Sequence, residues 1–277
     1  MNMGKYGLIV LILTIAYTKL LPWNWPLLLK KMQLLPFRPV WPICLRRHTA
    51  MRLSGWDVKP EKKYQNAEDV QEWINSTRNE KFSDLKNIGA LVMNCNPFTL
   101  GHYYLIERSI KQVDGLYVFI LQEDKSFFSF EDRIRLVREG TASFSDKISI
   151  HASGNFIISS MSFPGYFAKE HAVKPADSTV DVLLFGAIIA PALGITRRFV
   201  GDEPNCLVTN SYNETMQFLL PPLGVSLHVI PRKEMNGRVI SASSVRKCLQ
   251  ENNWDLVKEI VPPSTYNYLV EKYGANT

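Results

Sequence analysis

The chain has 277 residues, enough for one large domain or for a core domain with an appendage, and 46% apolar residues permit a sizeable core. Its net charge of +6 is unevenly placed: residues 1–58 hold eight Lys or Arg against Asp57 alone, a segment of +7 that leaves −1 for the remainder. The basic character belongs to that first segment, which argues against a nucleic-acid role for the folded body.

Residues 6–21 are strongly apolar apart from Lys19, with Lys5 before the run and Pro22 after it. Spanning a bilayer takes about 20 such residues, so the run is marginal, and no small-residue cleavage site follows it. Trp23, Trp25 and Trp41 alternate with Lys30, Lys31, Arg46 and Arg47, a mixture suited to a membrane interface. Two readings stand for residues 1–58: membrane association through residues 1–50 with a cytoplasmic body, or an extension that is poorly ordered or even an over-long start with Met51 as the true beginning. Residues 59–86 are polar, with one helix predicted over 67–78, and form a linker or a lead-in packed on the main domain.

From residue 87 onward strands and helices alternate. The apolar run 88–93 is a buried parallel strand, broken by Asn94, Asn96 and Pro97. Thr99 then offers a hydroxyl cap for a helix carrying Tyr104, Leu105, Ser109 and Ile110, which puts His102 at its third position. An imidazolium there opposes the helix dipole unless an anion sits beside it, so strand, loop and histidine together read as a phosphate site. A second strand is predicted at 116–121, and a helix capped by Ser129 runs to 139, with Glu131 and Asp132 in its first turn. Further strands are predicted at 148–151, 198–200 and 227–230. Helices are predicted near 166–171, 180–189 and 214–220, then at 243–251, 254–260 and 264–272. The alternation implies an α/β, Rossmann-like, doubly wound parallel sheet of five strands with C-terminal helices. Ligands bind such sheets beyond the carboxyl ends of the strands, where the loop 94–102 lies. Aromatic residues Phe127, Phe128 and Phe167 are expected in the core.

Residues 240–246, Ile-Ser-Ala-Ser-Ser-Val-Arg, repeat the pattern: Ser243 is a candidate cap and Arg246 a cation where the dipole opposes one. A polyphosphate between the two helix starts resolves both conflicts. Cys44, Cys95, Cys206 and Cys248 are widely spaced, with no pair at metal-ligand spacing, and are expected to be reduced thiols in a cytosolic body. Cys95 lies in the key loop but is expected only to fit there.

Thr99-Leu100-Gly101-His102 resembles the signature of the nucleotidyltransferase superfamily, and the longer string from Asn96 to His102 is similar to the C-terminal nucleotidyltransferase domain of the citrate lyase ligase family. Ile240 to Arg246 resembles the superfamily's second signature. Gln122 to Ser129 with Asp132-Arg133, Phe163 to Phe167, Pro191 to Thr196 and Arg197 to Pro204 also look like that family. The likeness spans residues 88–269. It implies ATP with Mg2+ as cofactors, acetate activated as acetyl-AMP, pyrophosphate as leaving group, and an acyl carrier subunit whose thiol receives the acetyl group. His102, Thr99 and Arg246 would then be catalytic. Asn94, Cys95, Asn96, Pro97, Phe98, Gly101, Gly201, Asp202, Arg232, Ser241 and Ser243 would surround ATP, with Gly101 leaving room for the nucleotide. The expected organisation is 1–58, 59–86 and a nucleotidyltransferase domain at 87–277. One departure matters: the family carries an acetyltransferase-like domain ahead of this one, and residues 1–86 are too short and irregular to supply it. Two alternatives follow, a transfer of AMP or CMP to a phosphorylated small molecule, and a non-catalytic nucleotide-binding module tethered to a membrane.

Overall fold

A computed structural model describes residues 61–122, 126–159, 162–163, 166, 177–202, 206–235 and 237–274, with side chains from 69 onward. The apolar run 6–21 lies outside these, and among the described residues no helix is long and apolar enough to cross a membrane. The chain divides into two compact units, residues 1–72 and 73–277. Helix α1 (Glu61–Thr77) starts six residues before its predicted beginning and runs from the first unit into the second.

The second unit is built on five parallel strands: β1 (Ile88–Met93), β2 (Gly115–Ile120), β3 (Ile148–Ala152), β4 (Ile195–Gly201) and β5 (Ser226–Ile230). Their order is β3-β2-β1-β4-β5, so the winding direction reverses between β1 and β4. Helices α2 (Leu100–Ile110) and α3 (Phe130–Gly140) make the first two crossovers. The third crossover holds α4 (Thr179–Leu184), a π-helical turn (Phe185–Ile189) and α5 (Ala190–Ala192), and the fourth holds α6 (Leu207–Leu219). Right-handed crossovers from a reversed order put these two groups on opposite faces of the sheet. A small hairpin, β6 (Glu234–Met235) and β7 (Arg238–Val239), then leads to α7 (Ala242–Gln250), α8 (Trp254–Ile260) and α9 (Pro263–Tyr273).

The faces of β2 show how strand alternation builds both layers. Leu116, Val118 and Ile120 join Ile106 of α2, Leu136 of α3 and Val245, Val257 and Leu269 of α7–α9 in one core. Tyr117 and Phe119 point the other way, where Phe82 and Trp73 meet them edge-on or tilted. Trp73 also donates through Nε1 to the Ala152 carbonyl at 3.2 Å, so the end of α1 packs on β3.

Several elements differ from expectation. Helix α6 begins at Leu207 rather than 214, although Thr209, Asn210, Ser211 and Asn213 are weak helix formers. Val208, Tyr212 and Met216 recur every fourth residue and are buried, so packing overrides propensity. Strand β4 is longer at both ends than predicted. Phe128 is fully buried as expected, but Phe127 is 52% exposed, leaning on Phe128 and Tyr273. Phe167 and, apart from Tyr166, the helix predicted at 166–171 lie outside the described residues.

Candidate active site

Beyond the carboxyl ends of β1, β4 and β5 opens a cleft of about 580 Å³. Asn94, Cys95, Asn96, Thr99, Gly101, His102, Gly201, Arg232, Ser241, Ser243 and Arg246 all line it. Three expected contacts do not: Pro97, Phe98 and Asp202 lie outside the lining.

The first wall is the start of α2. Thr99 has extended backbone angles (φ −125°, ψ 168°), and its Oγ1 receives the amide of His102 at 3.4 Å. The imidazole returns the contact, since His102 Nδ1 accepts from the Thr99 amide at 3.1 Å and sits 2.9 Å from Thr99 Oγ1. A backbone amide can only donate, so Nδ1 is the acceptor and the proton of the neutral ring is assigned to Nε2. Burial and the nearby Arg232 guanidinium hold the imidazole pKa down to about 4. The ring is therefore neutral, and it satisfies an orphan amide of the helix terminus. Phe98, fully buried, stacks on the ring at 6.0 Å and 16°. Thr99 and Phe98 therefore orient the imidazole, leaving its Nε2–H as the ring's remaining donor.

The loop between β1 and α2 is held from below. Arg133 of α3, completely buried, donates through Nη1 to the carbonyls of Asn94 and Leu121 and to Asn94 Oδ1, at 2.8–2.9 Å, and through Nε to the Phe128 carbonyl at 3.1 Å. Asn94 Oδ1 also accepts from Ser126 Oγ, and Asn96 Oδ1 from the Phe128 amide. Both asparagine side chains thus carry the loop's shape. Cys95, in the left-handed region (φ 51°), is fully buried, and burial pushes its thiol pKa far up, away from nucleophilic use.

The second wall departs from its expected geometry. The cap of α7 is Ser241, not Ser243: Ser241 Oγ accepts from the Ser244 amide at 3.0 Å and lies 2.7 Å from Ser244 Oγ. Ser243 is the exposed second helical residue, and Arg246 is the fifth, not the third. From there Arg246 reaches across to donate through Nη1 to the Asn96 carbonyl at 2.7 Å, which ties the two signature segments together. A second tie is steric. A Cβ on Gly101 would stand 3.0 Å from the Ile240 carbonyl oxygen, so the glycine chiefly permits close approach of the two segments. At Gly201, by contrast, a Cβ would meet nothing within 4 Å.

Arg198, Arg232, Lys233 and Arg246 line the cleft, and no carboxylate stands among the described lining residues. Polyanions suit such walls. Two lining residues, Arg198 and Tyr212, and Asp181 beside them were not among the predicted site residues. Asp181 of α4 is fully buried and accepts from the Ile158 amide (2.6 Å), Ser162 Oγ (2.7 Å) and Tyr212 Oη (2.6 Å). Tyr212 and Arg198 border the cleft beside it. A lone acid in the apolar run 180–189 and an arginine inside an apolar strand were the available signals.

A profile for the citrate lyase ligase C-terminal domain matches residues 88–269. The citrate (pro-3S)-lyase ligase of Klebsiella pneumoniae is 43% identical over 191 residues, covering 67% of this chain and 56% of that protein. That of Haemophilus influenzae is 44% identical over 192 residues, covering 67% and 57% respectively. The chain therefore spans little more than half the length of these relatives. Among solved structures, a Plasmodium falciparum nicotinic acid mononucleotide adenylyltransferase is 16% identical with a TM-score of 0.41, covering 68% of this chain and 96% of that one.

Proposed function

The chain belongs to the citrate lyase ligase C-terminal domain family, and from that premise we propose that it activates acetate with ATP. The product is acetyl-AMP, pyrophosphate leaves, and the acetyl group passes to the thiol prosthetic group of a citrate lyase acyl carrier subunit. The observation that carries this reading is the convergence of Thr99–His102 and Ser241–Arg246 on one cleft, joined by the 2.7 Å bond from Arg246 to Asn96.

In this mechanism the triphosphate lies along the seam between the starts of α2 and α7. One acetate oxygen attacks the α-phosphorus in line. The bond to the bridging oxygen breaks, and pyrophosphate departs with its electron pair. Charge grows on the α-phosphoryl oxygens, where His102 Nε2–H donates, and on the leaving group, where Arg246, Arg232 and Lys233 balance it. A neutral ring suits the task, because it donates one hydrogen bond without needing to titrate. No covalent enzyme intermediate is required, in keeping with the buried Cys95 thiol. Mg2+ is not matched by the described cleft residues, which offer no carboxylate, and no step here depends on a protein ligand to it.

The test is an acceptor screen. Labelled pyrophosphate should exchange into ATP only when acetate or a close carboxylate is present. Pyrophosphate release driven solely by a phosphomonoester, with ATP or CTP, overturns the acetate reading in favour of nucleotidyl transfer.

A further inference from the structure

The catalytic scheme leaves one strong feature without a task. Arg198 is 2% exposed, yet it borders the cleft, and its Nε and Nη1 have no hydrogen-bond partner among the described residues. A buried guanidinium with unused donors is costly unless an acceptor arrives. Asp181 lies near enough to balance its charge but gives it no hydrogen bond, its oxygens receiving Ile158, Ser162 and Tyr212. Instead the Tyr212 hydroxyl stands between them, donating to Asp181 and hydrogen-bonded to Arg198. The guanidinium is further steadied over the Phe185 ring, 4.9 Å from its centroid. Tyr212 in turn stacks on the buried Phe163 ring at 5.2 Å. The cation is therefore held on two sides, with donors left over.

We propose that Arg198 binds the carboxylate of the acyl substrate at the floor of the cleft. The inference rests on the adenylylation reading above and assigns its nucleophile a seat. Position supports it. Arg198 pairs in register with Ala90 of β1 and Leu227 of β5, three residues before β4 ends, about 10 Å below the rim. Phosphates at the α2–α7 seam lie toward one face of the sheet, the face whose core includes Ile106 and Val245. Phe185 and Tyr212 belong to the crossovers of the opposite face. In-line displacement requires the nucleophile opposite the leaving group, and Arg198 is on that side. The surroundings also favour a short monocarboxylate over a further phosphate. Ile158 lines the cleft and the Phe185 ring lies against the guanidinium, both apolar, and one planar cation with several donors matches a planar carboxylate.

The experiment uses the full chain with ¹³C-acetate and a non-hydrolysable ATP analogue, comparing wild type with Arg198→Lys. Lysine keeps a positive charge beside Asp181 and removes the multi-donor plane. Acetate binding is followed by saturation-transfer NMR, analogue binding by calorimetry, and acetate KM by pyrophosphate exchange. The expected result is an acetate Kd and KM raised about 10- to 100-fold, with analogue affinity within about 3-fold of wild type. Should Arg198→Lys fail to fold by thermal melting, Tyr212→Phe removes the hydroxyl that positions the guanidinium against Asp181 and should raise acetate KM more than it lowers kcat. Unchanged acetate binding in a folded Arg198→Lys, a loss of analogue affinity instead, or no acetate binding by wild type overturns the assignment. Arg198-dependent acetate binding without pyrophosphate exchange sinks the adenylylation reading but keeps the seat. Acetate-dependent exchange with KM untouched by Arg198→Lys does the reverse.

Discussion

The two signature turns look alike in sequence and are built differently. At the start of α2 the functional side chain is part of its own helix cap, and His102 is oriented by Thr99 three residues away. At the start of α7 capping and function are separated: Ser241 caps, while Arg246 lies a full turn further on and is oriented by Asn96, 150 residues distant. The first turn carries its geometry locally, whereas the second acquires its geometry only when the domain folds. A hydroxyl followed by a basic residue three positions later is thus two different machines.

Breaking each in turn should expose the difference. His102→Ala has the largest expected effect, a loss of about 2.7–4 kcal/mol of transition-state stabilisation, as for one oxyanion donor. Undiminished pyrophosphate exchange in that variant removes His102 from the mechanism. Arg246→Lys keeps the charge but loses the bond to Asn96, and should cost about 1.5–3 kcal/mol of stability in denaturant unfolding. A variant as stable as wild type would show that the tie between the two segments is not structural.

The pH response sharpens the contrast because only the first turn titrates. His102 is held at about 4 in the fold against an ordinary value near 6.5. Between those values the unfolded chain binds a proton that the native one refuses. Its stabilising contribution is therefore complete above about pH 6.5 and is lost as pH falls toward 4, by at most about 1.4 kcal/mol per pH unit. His102→Ala should flatten that slope in melting curves, and exchange activity should show no His102 inflection near pH 6.5. The smallest effect concerns the second cap. Ser241→Ala should cost about 1 kcal/mol of stability and Ser243→Ala almost none. The opposite ranking would restore Ser243 as the cap.

What could be read from the sequence follows the same division between local and distant causes. The strand 88–93 and the caps Thr99 and Ser129 depend on neighbours within a few residues, and the structure has them where the pattern put them. Three serines within four positions left the α7 cap ambiguous, and the choice of Ser241 follows from where the chain leaves Ile240 against Gly101. The bond from the Thr99 amide to the His102 ring was not foreseen, because the helix dipole was weighed without the ring's capacity to accept. Arg133 and Arg198 fell inside family-like strings, but their roles, like that of Asp181, were out of reach, since each draws its meaning from partners 12 to 39 positions away. Helix α6 shows the same limit, its weak intrinsic propensity overruled by contacts the pattern could not weigh.

The close approach of Gly101 to Ile240, reinforced by the Arg246 bond, has a consequence for traffic. With that side stitched shut, the starts of α2 and α7 must move as one body, and the vestibule cannot gape between them. Nucleotide and products then pass over the opposite lip, where Thr209 and Asn213 of α6 stand.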